Sequence, residues 1–375
     1  MIPIVLVLLV SILLYVPPFQ KAIVGKVAEY ASKSIGMKIE FERIRLSFPL
    51  NLSMHNVSVV ASGNDTLLYL NKLTLQVRFR PLLKGNISVS GIRLEKLDFN
   101  TGDLVDGMGI KGCAGEIYFK ADSINPAAEY ALLNKMKLSD ADIELFICDT
   151  TVTDTSKSGM NWYMDLREAE FRNVAFSCRL PCDSIYLGLQ MDNAILSGGI
   201  ADLRNGRYEA SNLRLSVPEI SYSTDLQEAA PGFDMSHICF SDVHLLCDSL
   251  YYESEKKMHV QVKECSARER SGIILRSVTG SIVSDDIRFH IPSFLAQTEY
   301  STLQMQVVAP WSAIDDMDPH GDMSVVLSAS VSKEDMMFLA GDTQGNFLKN
   351  YPDTSFQMEL SAAGNIDNMK LHKLD

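Results

Sequence analysis

From Lys72 to Arg80 apolar and polar residues alternate one for one. Leu73, Leu75, Val77 and Phe79 fall on one face; Lys72, Thr74, Gln76, Arg78 and Arg80 fall on the other. Successive strand side chains point to opposite faces, so the spacing predicts a strand with one apolar and one wet face. Pro81 has no N–H to give a ladder and ends it. Gly85-Asn86 marks the turn, and a second strand follows with Ile87 and Val89 alternating against Ser88 and Ser90. Gly91 interrupts that strand, and Ile92, Leu94, Leu97 and Phe99 continue it.

The same one-faced pattern returns along the chain. Strands are expected over Ile39–Ser47, Asn51–Val60, Gly115–Ala121, Leu138–Cys148, Trp162–Leu180, Ser184–Leu196 and Tyr208–Tyr222. They continue over Ile238–Tyr252, Met258–Glu264, Ile273–Val283, Ile287–Ile291, Tyr300–Ala309, Met323–Val331 and Thr354–Ala362. Leu213, Leu215 and Val217 alternate in one of these, Val325 and Leu327 in another, and Phe356, Met358 and Leu360 in a third. Gly102–Gly115 is Gly-rich and reads as loop. Pro126–Met136 has the length and composition of a short helix, and Ser332 with Asp335 three residues on suits the start of another at Ser332–Leu339. The expected fold is mainly β: about fifteen strands in antiparallel meanders, with two or three short helices. So many one-faced strands need a cover for the apolar side. Either two sheets close as a sandwich, or one long sheet curls into an open groove that something else fills.

The N-terminus differs. Ile2–Val16 is apolar apart from Ser11. A helix of about 15 residues spans about 22 Å, short of the ~30 Å hydrocarbon core. No small-x-small cleavage site follows it, so a membrane anchor over residues 1–16 is expected rather than a removed signal. Phe19, Ile23, Val27 and Tyr30 recur at helical spacing, so residues 17–36 read as an amphipathic helix ending at Gly36, on the membrane surface or capping the sheet. Residues 37–375 form the β body. Lys21, Lys26, Lys33, Lys38, Arg43 and Arg45 follow the span, which by charge alone places that side in the cytoplasm. Ala362–Asp375 begins a further strand as the sequence stops, and the chain is expected to be the N-terminal part of a longer one.

Composition narrows the function classes. Of the residues 46% are hydrophobic and 22% charged, which is globular. The net charge of −13 and the pI of about 5.0 argue against nucleic acid as a partner. Seven cysteines at irregular spacings make no disulfide framework; Cys178 with Cys182 is the one local pair, and unpaired strand thiols are expected. No phosphate loop, nucleophile elbow or HExxH stretch occurs. Asp285-Asp286 and Asp315-Asp316 read as solvated turns. His237, Cys239, His244 and Cys247 have metal-like spacing, yet Ile238, Phe240, Val243 and Leu245 interleave as in a strand. No enzyme activity, metal or cofactor is expected.

Four stretches in order resemble a known family. They are Tyr15-Val16-Pro17-Pro18-Phe19-Gln20, then Phe48–Val57, then Gly63-Asn64-Asp65-Thr66-Leu67-Leu68, then Arg80–Ile87. Together they resemble the N-terminal region of TamB-type proteins of the AsmA-like family, with the closest likeness over Ile2–Phe99. The resemblance implies a single-pass inner-membrane protein whose bulk lies in the periplasm as an open-sided, chorein-like β-groove, against the charge reading above. It implies a role in outer-membrane biogenesis: phospholipid transport between the two membranes, or assembly of outer-membrane proteins with a BamA-like barrel as partner. A closed sandwich acting as a ligand-binding module is a third class. For the conduit, the expected acyl-chain surface is Leu73, Leu75, Val77, Phe79, Ile87 and Val89, then Leu213, Leu215 and Val217, then Val325, Leu327, Phe356, Met358 and Leu360. Acyl chains need no directional partner, so such a site is a stripe rather than a cluster.

Overall fold

The computed structural model describes residues 38–47, 51–60, 66–78, 89–102, 108–125, 128–147, 161–180, 184–315, 321–341, 348, 352–365 and 367–374. The expected anchor and amphipathic helix lie outside these residues. Among the described residues no helix is long and apolar enough to cross a membrane.

Contacts divide the chain into two units. One comprises Met1–Val152 with Arg172–Phe176; the other comprises Thr153–Phe171 with Ser177–Asp375. The first holds β1 (Lys38–Glu40), β2 (Arg43–Ser47), β3 (Asn51–Val60), β4 (Thr66–Val77), β5 (Val89–Asn100), β6 (Met108–Asn125) and β7 (Tyr130–Ile147). Strand β8 (Tyr163–Leu180) has residues in both. The second holds β9 (Ile185–Asp202), β10 (Arg207–Ala210), β11 (Asn212–Ser223), β12 (His237–Ser254), β13 (Lys257–Glu269), β14 (Ile274–Ser284), β15 (Arg288–Thr298) and β16 (Thr302–Pro310). It continues with helix α1 (Trp311–Asp315), β17 (Met323–Val331), helix α2 (Lys333–Ala340), β18 (Phe356–Asn365) and β19 (Asn368–Leu374).

Both units are antiparallel meanders. In the first, β1 and β2 both pair with β3, and each later strand through β7 pairs with the one before it. In the second, β9 and β12 flank β10 and β11, and the ladder then runs strand by strand to β19. Within either unit the extensive contacts of each strand are with its ladder neighbours; α1 rests against β16. Within each unit the strands therefore form one continuous ladder rather than two separately hydrogen-bonded sheets.

Two local expectations change. Tyr130–Met136 is strand, not helix: Leu133 stands opposite Ala121 and Met136 opposite Phe119, so a ladder partner overrides the helix preference of Ala, Leu and Met. Met108–Gly115 is strand, not loop. A Cβ on Gly112 would run into the Asp142 carbonyl of the neighbouring strand, so glycine here permits close approach rather than marking a turn. The Ser332 helix forms as expected: the Ser332 hydroxyl accepts from the Asp335 N–H, and α2 follows.

Candidate functional site

Register turns the alternating residues of single strands into apolar rows that cross the strands. In the first unit one row runs Leu52, Leu75, Ile92, Phe119, Met136, and its neighbour runs Met54, Leu73, Leu94, Ile117, Leu138. Further along the strands come Val57, Leu70, Leu97, Ala114, Ala141, and then Val59, Leu68, Phe99, Gly112, Ile143. Val77 faces Val89.

In the second unit the rows are longer. One starts at Leu196 and passes through Leu213, Cys247, Val262 and Gly280. It continues through Phe294, Met305, Leu327 and Leu360 to Leu374. Ten strands at about 4.8 Å spacing give a stripe about 43 Å long. Beside it a row from Ala194 runs through Leu215, Leu245 and Cys265, then Val278, Ala296, Leu303, Ala329 and Met358. A shorter row joins Val307, Val325, Ala362 and Leu371.

Of the fourteen residues expected to face acyl chains, ten fall on these rows or in the Val77–Val89 pair. Leu73, Leu75, Val77 and Val89 are half-buried, as are Leu213, Leu215, Val325, Leu327, Met358 and Leu360. Half-burial is what an apolar side chain shows when strand neighbours flank it and nothing lies on top. Two depart from this: Val217 is 1% exposed and Phe356 48%. Phe79 and Ile87 lie outside the described residues. Leu374, at the last described position of the row, is 63% exposed.

The opposite face carries charge. Lys72 donates to Glu95 at 2.8 Å, Arg93 lies 3.3 Å and Lys137 3.6 Å from Glu116, and Lys111 pairs with Glu144 at 2.9 Å. These cross-strand pairs are solvated and each contributes at most about 1 kcal/mol. Their main effect is to keep that face wet and so define which side is oily.

The metal-like quartet is dispersed. Cys247 lies on the long apolar row, whereas His237 and Cys239 line a cavity of about 140 Å3 with Tyr186, Ser221 and Arg270. His237 sits between carboxylates, its Nδ1 3.0 Å from Asp234 and its Nε2 3.1 Å from Asp225. Asp234 also accepts from the backbone N–H of Ala230 and of Ser236, which lowers its pKa below the usual carboxylate value. Among the described residues no three His, Cys, Asp or Glu side chains are gathered as a metal site. Asp285 accepts from the backbone of Ile287 and Arg288, so it shapes a turn. Cys113, Cys178, Cys239, Cys247 and Cys265 are unpaired thiols.

What strict period-two reading missed is a slip of phase within the strands. The signal is in the sequence: Leu68 and Leu70 are followed by Leu73 and Leu75, and Ile92 and Leu94 by Leu97 and Phe99, with two polar residues between each pair of pairs. No family model, no curated protein and no solved structure matches the chain.

Proposed function

We propose that this chain is a lipid conduit: acyl chains lie on the apolar rows while headgroups stay in water. The observation that carries the reading is the Leu196–Leu374 row, apolar or glycine at every position over ten strands of one ladder. Each methylene laid on such a stripe gains up to about 0.8 kcal/mol. Because no position on the row is chemically distinct, a chain can slide from strand to strand without leaving one tight site for another. The groove is completed by curling of the sheet. An anchor at residues 1–16 and the helix at residues 17–36 hold the body at an inner membrane, and the β body extends through the periplasm. The cargo is phospholipid moving between inner and outer membrane, as the TamB-type resemblance implies.

Mass spectrometry of lipid co-purified with the full chain tests the conduit. Phospholipid is expected on the wild-type chain and at least tenfold less of it on Leu213→Asp and Leu327→Asp, with the circular dichroism of the sheet unchanged. A wild-type chain free of lipid, or folded variants that carry as much as wild type, overturns it.

A further inference from the structure

The apolar face shifts phase within successive strands of the first unit. On β3 its residues are Leu52 and Met54, then Val57 and Val59; on β5 they are Ile92 and Leu94, then Leu97 and Phe99. Strict alternation would send Val57 to the side opposite Met54, yet both are buried. A residue in the left-handed region absorbs the odd step. These are Asn56 (φ 51°), Lys96 (φ 53°) and Asp140 (φ 54°) on β3, β5 and β7, and Asp242 (φ 52°) on β12 of the second unit.

In the first unit they line up. The pairs on either side place Asn56 across from Asn71, Asn71 across from Lys96, and Gly115 between Lys96 and Asp140. Asn173, also left-handed at φ 52°, donates its amide to the Asp140 carboxylate at 2.8 Å. Asn and Asp take this backbone more readily than other L residues, so Lys96 is the one that its surroundings must hold there. Their recurrence on alternate strands at matching register, with Asn71 and Gly115 between them, is a repeated feature of the unit.

A second observation points the same way. The row just past this line, Val57, Leu70, Leu97, Ala114 and Ala141, is only 3–5% exposed, while the extensive contacts of its strands are with their ladder neighbours. A sheet that folds toward one of its own rows buries that row in this way. In the second unit Val217 and Val243, beside Asp242, are buried by residues of the same sheet, among them Leu189, Met191, Ile220 and Phe240.

We propose that each unit is creased on its own, the first along the line through Asn56, Lys96 and Asp140 and the second at Asp242, and that Lys96 and Asp242 are positioning residues, each folding the apolar face of its own unit inward. Acyl chains then lie against the two walls, such as Leu75 and Ile92 on one side and Leu68 and Phe99 on the other. The floor row is sealed by the walls and touches no lipid. This rests on the conduit reading, and it divides the apolar rows into those that carry cargo and those that set the bend.

The test uses the full chain with Lys96→Val and Asp242→Val together, since β-branched residues resist positive φ, beside Lys96→Gly and Asp242→Gly, which permit it. A fluorescent diacyl phosphatidylethanolamine is the probe. The Gly pair is expected to bind within twofold of wild type and the Val pair at least tenfold more weakly with its strand signal retained. A folded Val pair that binds like wild type overturns the proposal. Maleimide labelling, located by peptide mass mapping, reads the crease without lipid: Ile92→Cys is expected to react at least tenfold faster than Leu97→Cys. Equal rates overturn the crease, whether or not the Val pair folds. If the rates differ as expected but wild type binds no probe, the conduit reading fails and with it the role assigned to the walls, while the crease stands.

Discussion

Val217→Ala measures how the single sheet buries its own core. Val217 is 1% exposed, stands opposite Val243 on β12, and belongs with Val243 and Ala267 to a buried cluster against which Leu189, Met191, Leu215, Ile220, Phe240 and Leu275 pack. The substitution deletes two methyl groups, worth about 1.5 kcal/mol in transfer. The backbone on either side is held by two ladders, so the site cannot collapse fully, and the remaining cavity raises the cost to about 2–3 kcal/mol. Leu327→Ala removes more atoms from a half-exposed site and is expected to cost only about 1 kcal/mol, because much of that surface is already in water. The chain's two tryptophans, Trp162 and Trp311, both lie in the second unit, so urea unfolding followed by tryptophan fluorescence reports on the unit that contains both substitutions. A cost for Val217→Ala below about 0.5 kcal/mol, or no larger than for Leu327→Ala, would refute the claim that curvature of one layer creates a core.

Acid should weaken the second unit. Asp234 is held below its usual pKa chiefly by the Ala230 and Ser236 N–H groups, and Asp285 by those of Arg288 and Ile287. A carboxylate with a lowered folded pKa contributes stability that is present above its unfolded value of about 3.9 and is lost as pH falls through the folded one. The urea midpoint is expected to fall below about pH 4, and less steeply in Asp234→Asn; an identical profile for the variant would remove Asp234 from the account. The thiols should separate by burial: Cys113 is exposed, whereas desolvation raises the pKa of Cys247 and Cys265. Native maleimide labelling is expected to mark Cys113 first and Cys247, 2% exposed, last. Early reaction at Cys247 would mean that its burial is not kept in solution.

Much of this was legible in the residues and some was not, for reasons that differ by element. Leu73, Leu75 and Val77 announce a one-faced strand because a pleated backbone has period two whatever its neighbours are. Ser332 and Asp335 announce α2 because an N-cap is a local bond between residues three apart. Tyr130–Met136 misleads because helix propensity is small beside the gain from pairing with β6, eleven or more residues away along much of the ladder. The metal-like quartet misleads because its spacing, taken as strict alternation, omits the odd step between Phe240 and Val243, so that Cys247 joins the apolar row while Cys239 lines the cavity beside His237.

The amino-acid order by itself determined that the chain is mainly strand, that each strand has one oily side, and that no familiar catalytic motif interrupts the pattern. Those properties are carried by alternation and local bonds, which a strand possesses before it meets a partner. Only the tertiary structure decided which strands are neighbours, and so that Leu196 and Leu374, far apart in the chain, end one continuous row. It also decided that within each unit the strands join one continuous ladder, and that Val217 and Leu97 are buried where Leu213 and Leu75 are not. Register and curvature depend on interactions between distant strands, and a single strand's pattern is the same whether its oily side meets a second sheet, its own fold or a lipid tail.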